Sequence, residues 1–233
     1  MKTLIIIPAY NEEVAIANVL ADIKAHCPWA DVVVINDGST DSTSAAARQD
    51  GVAVIDLPHN LGIGGAMQTG YKYAERGRYD VAVQFDGDGQ HRGDQLETLV
   101  RPVRDGDADM AVGSRFMGAK GYESKLARLL GIKILAGVVS LVCRKTITDP
   151  TSGFRAVNRK VIEFCSNSYP DDYPEAEAVV LLNRAGFRLV EVPVLMRERQ
   201  AGSSSITAFR SLYYMVKVLL AILIDMLKRA PGR

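Results

Sequence analysis

The chain predicts an α/β domain built on a mostly parallel sheet flanked by helices, and three features carry that expectation. Short apolar runs at residues 4–7, 32–35, 52–55 and 81–85 lack polar alternation, as strands buried on both faces do. Amphipathic segments at residues 12–25, 42–49 and 64–76 separate them, which is the βαβ rhythm of a doubly wound sheet. Each run also ends in a polar turn: Asn11-Glu12-Glu13, Asn36-Asp37-Gly38, His59-Asn60-Leu61-Gly62 and Asp86-Gly87-Asp88. In open α/β sheets ligands bind beyond the carboxyl ends of the strands, so these turns would share one rim.

The remaining elements follow in order. Residues 93–103 read as a helix leading into a strand at 109–113, and residues 122–143 as a long helix followed by a turn-rich stretch at 148–153. Helices are expected at 158–165 and 175–185, a strand at 189–195 and a terminal helix at 205–228. No internal repeat, low-complexity tract or linker interrupts the chain. The expected organisation is one domain over residues 1–205, followed by an amphipathic segment over 206–233.

Composition narrows the class. The 233 residues, 48% hydrophobic, suffice for one sizeable core. The 28 basic and 27 acidic residues nearly cancel, which argues against a nucleic-acid partner. Cys27, Cys143 and Cys165 are odd in number and widely spaced, fitting neither a disulfide framework nor a zinc site; reduced, buried thiols in the cytosol are the expectation. No signal-peptide pattern is recognisable, and no apolar run reaches the roughly 18 residues of a membrane span.

The chemistry concentrates in Phe85-Asp86-Gly87-Asp88-Gly89-Gln90-His91. Strand alternation would point Asp86 and Asp88 to one side, and two hard oxygen donors there suit Mg²⁺ or Mn²⁺ with positions left for phosphate oxygens. An acidic turn closing a strand is the alternative. Asp37 can accept hydrogen bonds from a base or ribose, and Gly62, Gly64 and Gly65 permit close backbone approach. Asn11 and Asp41 read equally as helix caps.

Pro8-Ala9-Tyr10-Asn11-Glu12-Glu13, Asn36-Asp37-Gly38-Ser39-Thr40-Asp41, Asn60-Leu61-Gly62-Ile63-Gly64-Gly65-Ala66 and Asp86-Gly87-Asp88-Gly89-Gln90-His91 resemble the signature of family 2 glycosyltransferases with the GT-A fold. Gly113-Ser114-Arg115, the run from Asp149 to Arg155, Val192-Pro193 and the run from Arg199 to Ile206 narrow the resemblance to polyprenyl-phosphate sugar synthases. The resemblance implies donor contacts from Pro8, Tyr10, Glu12, Asp37, Gly64, Asp86 and Arg199. It implies metal ligation by Asp86, Asp88 and Gln90, with Arg115 and Lys133 facing the acceptor phosphate; Arg128 lies near Lys133. Lysine there supplies a point charge where arginine would supply a planar fork. Arg155 and Arg197 are further local cations, and Ser204-Ser205 stand where the family often has a lysine.

The function so implied is inverting, metal-dependent transfer from a nucleotide diphosphate sugar, UDP-linked by bacterial resemblance, to undecaprenyl or a related polyprenyl phosphate. A phosphate monoester is largely dianionic at neutral pH and needs cations more than a base. Glu175 and Glu177 leave a second reading open: as a base, either would suit transfer of a sugar such as rhamnose to a hydroxyl of a lipid-linked saccharide. Their placement after Pro174 also suits an ordinary helix start. A reading from another class is a non-catalytic nucleotide-sugar-binding partner of a membrane protein. The apolar segments 126–142 and 212–229, with Lys217, Asp225, Lys228 and Arg229 along the second, suit a helix lying on the cytoplasmic face of the cell membrane. Docking to a small membrane protein or a second copy, or burial in the core, would use the same stripe.

Overall fold

The computed structural model describes residues 1–49, 51–117, 126–171, 174–197 and 208–227, with the backbone alone at 126–128, 208–215, 225 and 227. Seven strands among these residues form one sheet: β1 (Thr3–Ala9), β2 (Asp31–Asn36), β3 (Ala53–Asp56), β4 (Val81–Gln84), β5 (Met110–Ser114), β6 (Arg155–Asn158) and β7 (Leu189–Pro193). Their order is β3-β2-β1-β4-β6-β5-β7, with β6 antiparallel to both neighbours and every other pair parallel.

The helices are α1 (Ile16–His26), α2 (Thr43–Gln49), α3 (Gly62–Arg76), α4 (Leu96–Arg104), α5 (Leu126–Cys143), α6 (Arg159–Asn167), α7 (Pro174–Arg184) and α8 (Ala208–Leu227). The pleat of β1 divides the core in two. Leu4 and Ile6 join Met67 and Tyr71 of α3, Leu135 and Val139 of α5, and Val179 of α7 on one face. Ile5 and Ile7 join Val19 and Ile23 of α1 and Leu99 of α4 on the other. The side chains of Leu4, Ile5, Ile6 and Ile7 are fully buried, each stabilising the fold by roughly 1.5–3 kcal/mol. Gly70 lets α3 lie against β1, because a Cβ there would overlap the Ile6 side chain.

Two sequence expectations are corrected. The 52–55 run was expected to be buried on both faces, but β3 is the edge strand and both its ends are exposed. The strand β6 was not expected at all. Its four residues, Arg-Ala-Val-Asn, carry no apolar run, and its strand pairing comes from β4 and β5. Smaller shifts have local causes. The first helix begins at Ile16 rather than residue 12, and ahead of it the amides of Glu12 and Glu13 donate to Thr43 Oγ1 (2.8 Å) and Asp41 Oδ2 (3.2 Å). The turn before α4 is a 3-10 turn, Gly93–Gln95. All three cysteines are free and buried, and burial pushes the Cys27 thiol up to about 11 and Cys165 to about 12.

Candidate active site

The parallel strands β1, β2 and β4 deliver their carboxyl ends to one cavity of about 290 Å³, walled by Pro8, Ala9, Tyr10, Glu12, Asp37, Asn60, Gly62, Ile63, Ala66, Asp86, Gly87, Asp88 and Glu175. The sequence-predicted residues Pro8, Tyr10, Glu12, Asp37, Asp86 and Asp88 are thus brought together.

Asp37 is only 4% exposed. Its Oδ1 accepts from the Leu61 amide (2.7 Å) and its Oδ2 from the Gly62 amide (2.9 Å), which ties the third rim loop to the second. Burial raises its pKa, and these two amides only partly oppose that. Gly38, at φ +68°, allows the loops to meet: a Cβ would lie 2.7 Å from the Asn60 nitrogen. Gly62 (φ +80°) lines the cavity, whereas the close approach Gly64 permits is to the backbone of Pro170 and Asp171.

The Asp86–His91 turn is held from several sides. The Asp86 amide donates to His91 Nδ1 (2.9 Å), so the imidazole proton sits on Nε2, which lies 3.5 Å from Asp86 Oδ2. Gln84 Nε2 donates to Asp86 Oδ1 (3.2 Å). The His91 ring, 3% exposed, stacks on Phe154 at 4.6 Å and meets the edge of Phe85. Burial pushes its pKa below the ordinary value, the nearby carboxylates opposing. A Cβ on Gly153 would fall 2.9 Å from Asp86 Oδ2, so glycine is what admits that carboxylate. The Gln90 amide donates to Asp88 Oδ1 (3.0 Å), and the Gln90 carbonyl accepts from the Arg197 amide (2.8 Å). Arg197 itself pairs with Asp22 (3.1 Å).

The donor set suits a hard divalent cation. Among the described residues no three His, Cys, Asp or Glu side chains cluster tightly enough to hold a metal alone. Mg²⁺ and Mn²⁺ chemistry needs no such cluster, since one or two carboxylates plus substrate phosphates complete the shell. Asp86 and Asp88 on the cavity wall meet that requirement, while the half-buried Gln90 is not part of the wall.

The expected acceptor cations lie elsewhere. Arg115, 7% exposed, forks onto Asp149 (Nε–Oδ2 and Nη2–Oδ1, both 2.6 Å) and also donates to Thr151 Oγ1 (2.8 Å). Lys133 is exposed on α5, beside the exposed Leu130 and Ile134. Arg199, Ser204 and Ser205 lie outside the described residues, as does the Arg128 side chain. Asn11 and Asp41 take structural work: Asn11 Oδ1 accepts from the Thr40 amide (2.9 Å) and Asp41 Oδ1 from the Thr43 amide (2.9 Å).

Glu175, in the first turn of α7, lines the cavity, and Glu177 does not. Burial raises the Glu175 pKa, and the Asp86 charge adds to it against the opposing field of Arg155. The Arg155 guanidinium, 2% exposed, donates to the carbonyls of Ser152 (2.8 Å), Pro150 (3.3 Å), Pro174 (3.4 Å) and Glu175. It therefore joins the segment carrying Gly153 to the helix start carrying Glu175. Sequence reasoning gave His91 no role, although its place five residues after Asp86 was the available signal.

A mostly parallel sheet whose first strands deliver carboxylates and glycine turns to one cavity defines a GT-A-type glycosyltransferase domain. The chain belongs to Glycosyl transferase family 2, whose sequence profile matches residues 4–165. It is 33% identical over 227 residues to a polyprenol monophosphomannose synthase of Mycolicibacterium smegmatis, covering 93% of this chain and 85% of the relative. It is 32% identical over 225 residues to an undecaprenyl-phosphate mannosyltransferase of Micrococcus luteus, covering 89% and 88%. In fold it is similar to glucosyl-3-phosphoglycerate synthase of Mycobacterium tuberculosis, crystallised with Mn²⁺, UDP and glucosyl-3-phosphoglycerate. That likeness has a TM-score of 0.72 at 19% identity, over 100% of this chain and 81% of the other.

Proposed function

We propose that this glycosyltransferase moves a sugar from a nucleotide diphosphate sugar, UDP-linked, to undecaprenyl or a related polyprenyl phosphate with inversion at the anomeric carbon. The observation that carries the reading is the gathering of Asp37 with Asp86 and Asp88 in one cavity; the names of the two curated relatives support the acceptor. Pro8, Tyr10, Glu12 and Asp37 take the nucleoside end of the donor, with Gly64 shaping the turn behind it. Asp86, Asp88 and Gln90 would hold Mg²⁺ or Mn²⁺, which when bound offsets the charge of the departing diphosphate.

The acceptor phosphate, already dianionic at neutral pH, attacks without a base, so the chain's task is to bring two anions together. Arg199 and Lys133 supply that charge. Arg115, whose charge is shared with Asp149, contributes less than an unpaired arginine would. The lipid chain sets the location. Among the described residues no helix is long and apolar enough to cross a membrane. Leu130, Ile134 and Leu141 on α5 and Val216, Leu220, Leu223, Ile224 and Met226 on α8 are 45–80% exposed, and the two helices pack together. Such a surface suits binding at the inner face of the cell membrane.

Labelled UDP-, GDP- and dTDP-hexoses incubated with a short-chain polyprenyl phosphate and Mn²⁺ test the reading. Metal-dependent glycosyl phosphate is the expected product. Transfer only to lipid-linked saccharide hydroxyls would overturn the acceptor assignment.

A further inference from the structure

Glu175 has no task in transfer to a phosphate, which needs no base, yet it lines the cavity proposed for the reaction. Elimination narrows its role. A carboxylate placed against the donor diphosphate or the acceptor phosphate would repel either. With the nucleoside at Asp37 and the diphosphate at Asp86 and Asp88, the part of the donor beside Glu175 is the sugar. The outward groups of a sugar are hydroxyls, which donate hydrogen bonds, and a carboxylate offers two acceptor oxygens side by side.

Resting on the donor reading above, we infer that Glu175 is a specificity-determining residue that accepts hydrogen bonds from hydroxyls of the donor sugar. Its carboxylate would select hexoses that keep a free hydroxyl at the contacted position. Two features make the placement firm. Arg155 is fully buried in the sheet and donates to the main-chain carbonyls of Pro174 and Glu175 as well as to those of Pro150 and Ser152. The same guanidinium thereby fixes Glu175 relative to Gly153, and Gly153 packs on Asp86. Arg155 is the positioning residue for this contact. Burial raises the Glu175 pKa, and an acceptor drawn out of water gains correspondingly more from a hydrogen bond. A site built around such a bond rejects a ligand lacking the hydroxyl, because the protein group is left without its partner.

The test uses the full chain with Mn²⁺ and the hexose donor that is transferred in the panel above. Calorimetry compares binding of the nucleoside diphosphate, the nucleotide sugar and its monodeoxy analogues by wild type, Glu175→Gln and Glu175→Asp. The wild type is expected to bind one monodeoxy analogue about 10- to 100-fold more weakly than the parent donor. Glu175→Gln should lose most of that discrimination with nucleoside diphosphate affinity unchanged, and Glu175→Asp should restore part of it. Equal discrimination in wild type and Glu175→Gln would overturn the inference. So would a collapse of kcat in Glu175→Gln at unchanged donor affinity, which is the signature of a base. If no nucleoside diphosphate binds to the wild type at all, the donor reading itself fails, a result distinct from either.

Discussion

The rim made by β1, β2 and β4 and the charged segment around residues 148–155 use similar residue types to different ends. On the rim, Asp37, Asp86, Asp88 and Glu12 all line the cavity, and amide and imidazole partners orient the three aspartates without neutralising them. Around residues 148–155 the charges are spent inside the protein. Asp149 is fully buried against Arg115, and its amide, with the amide and hydroxyl of Thr148, donates to Glu191. Arg155 satisfies four carbonyls. The difference teaches that a strand-end charge stays available to a ligand only where its neighbours are neutral hydrogen-bond donors. Opposed to a countercharge, it becomes a strut.

Substitutions on each side should break that contrast in different observables, beginning with the largest effect. Asp88→Ala should lower transfer by about 10³-fold while the unfolding midpoint stays near that of wild type. Full activity in this variant would remove the metal role. Asp149→Ala should destabilise the fold by about 3–5 kcal/mol in denaturant unfolding, since it strands the buried Arg115 guanidinium. A loss of activity without a loss of stability would make Asp149 a site residue instead of a strut. On the apolar surface, Leu220→Asp combined with Leu223→Asp should weaken binding to anionic vesicles by about 100-fold, from the removed apolar burial. Lys133→Ala should weaken it about 5-fold, in line with roughly 1 kcal/mol per cation near such a surface.

The smallest effect sharpens the position of Glu175. Its pKa in the folded protein lies above the ordinary value, so the native state binds its proton more tightly than the unfolded chain does. The associated stability is present at acid pH and fades as pH rises through the raised value. Glu175→Gln should therefore melt slightly higher than wild type at about pH 8 and equally at about pH 4. A lower melting point at the alkaline end would mean that Glu175 is stabilised by a partner and not merely desolvated.

The α/β rhythm and the polar rim were legible because both are local. Apolar runs of strand length, helical spacing between them and Asp-Gly turns at their ends are each set by residues adjacent in sequence. The same logic failed at β6, where Arg155–Asn158 has no strand pattern and owes its conformation to hydrogen bonds from β4 and β5. It failed again at Gly64 and Gly153, whose reasons are a neighbouring backbone and the Asp86 carboxylate.

By itself the sequence determined the strand-end carboxylates, the βαβ order and the apolar character of the last helix, because these depend on side-chain chemistry and on spacing along the chain. Tertiary structure alone decided that Arg115 is bound to Asp149, that His91 clamps Asp86 and that Glu175, not Glu177, lines the cavity. Each is a contact between segments distant in sequence or a choice of which side of a turn faces inward. The energy of ion pairs and desolvation is settled only when those segments meet.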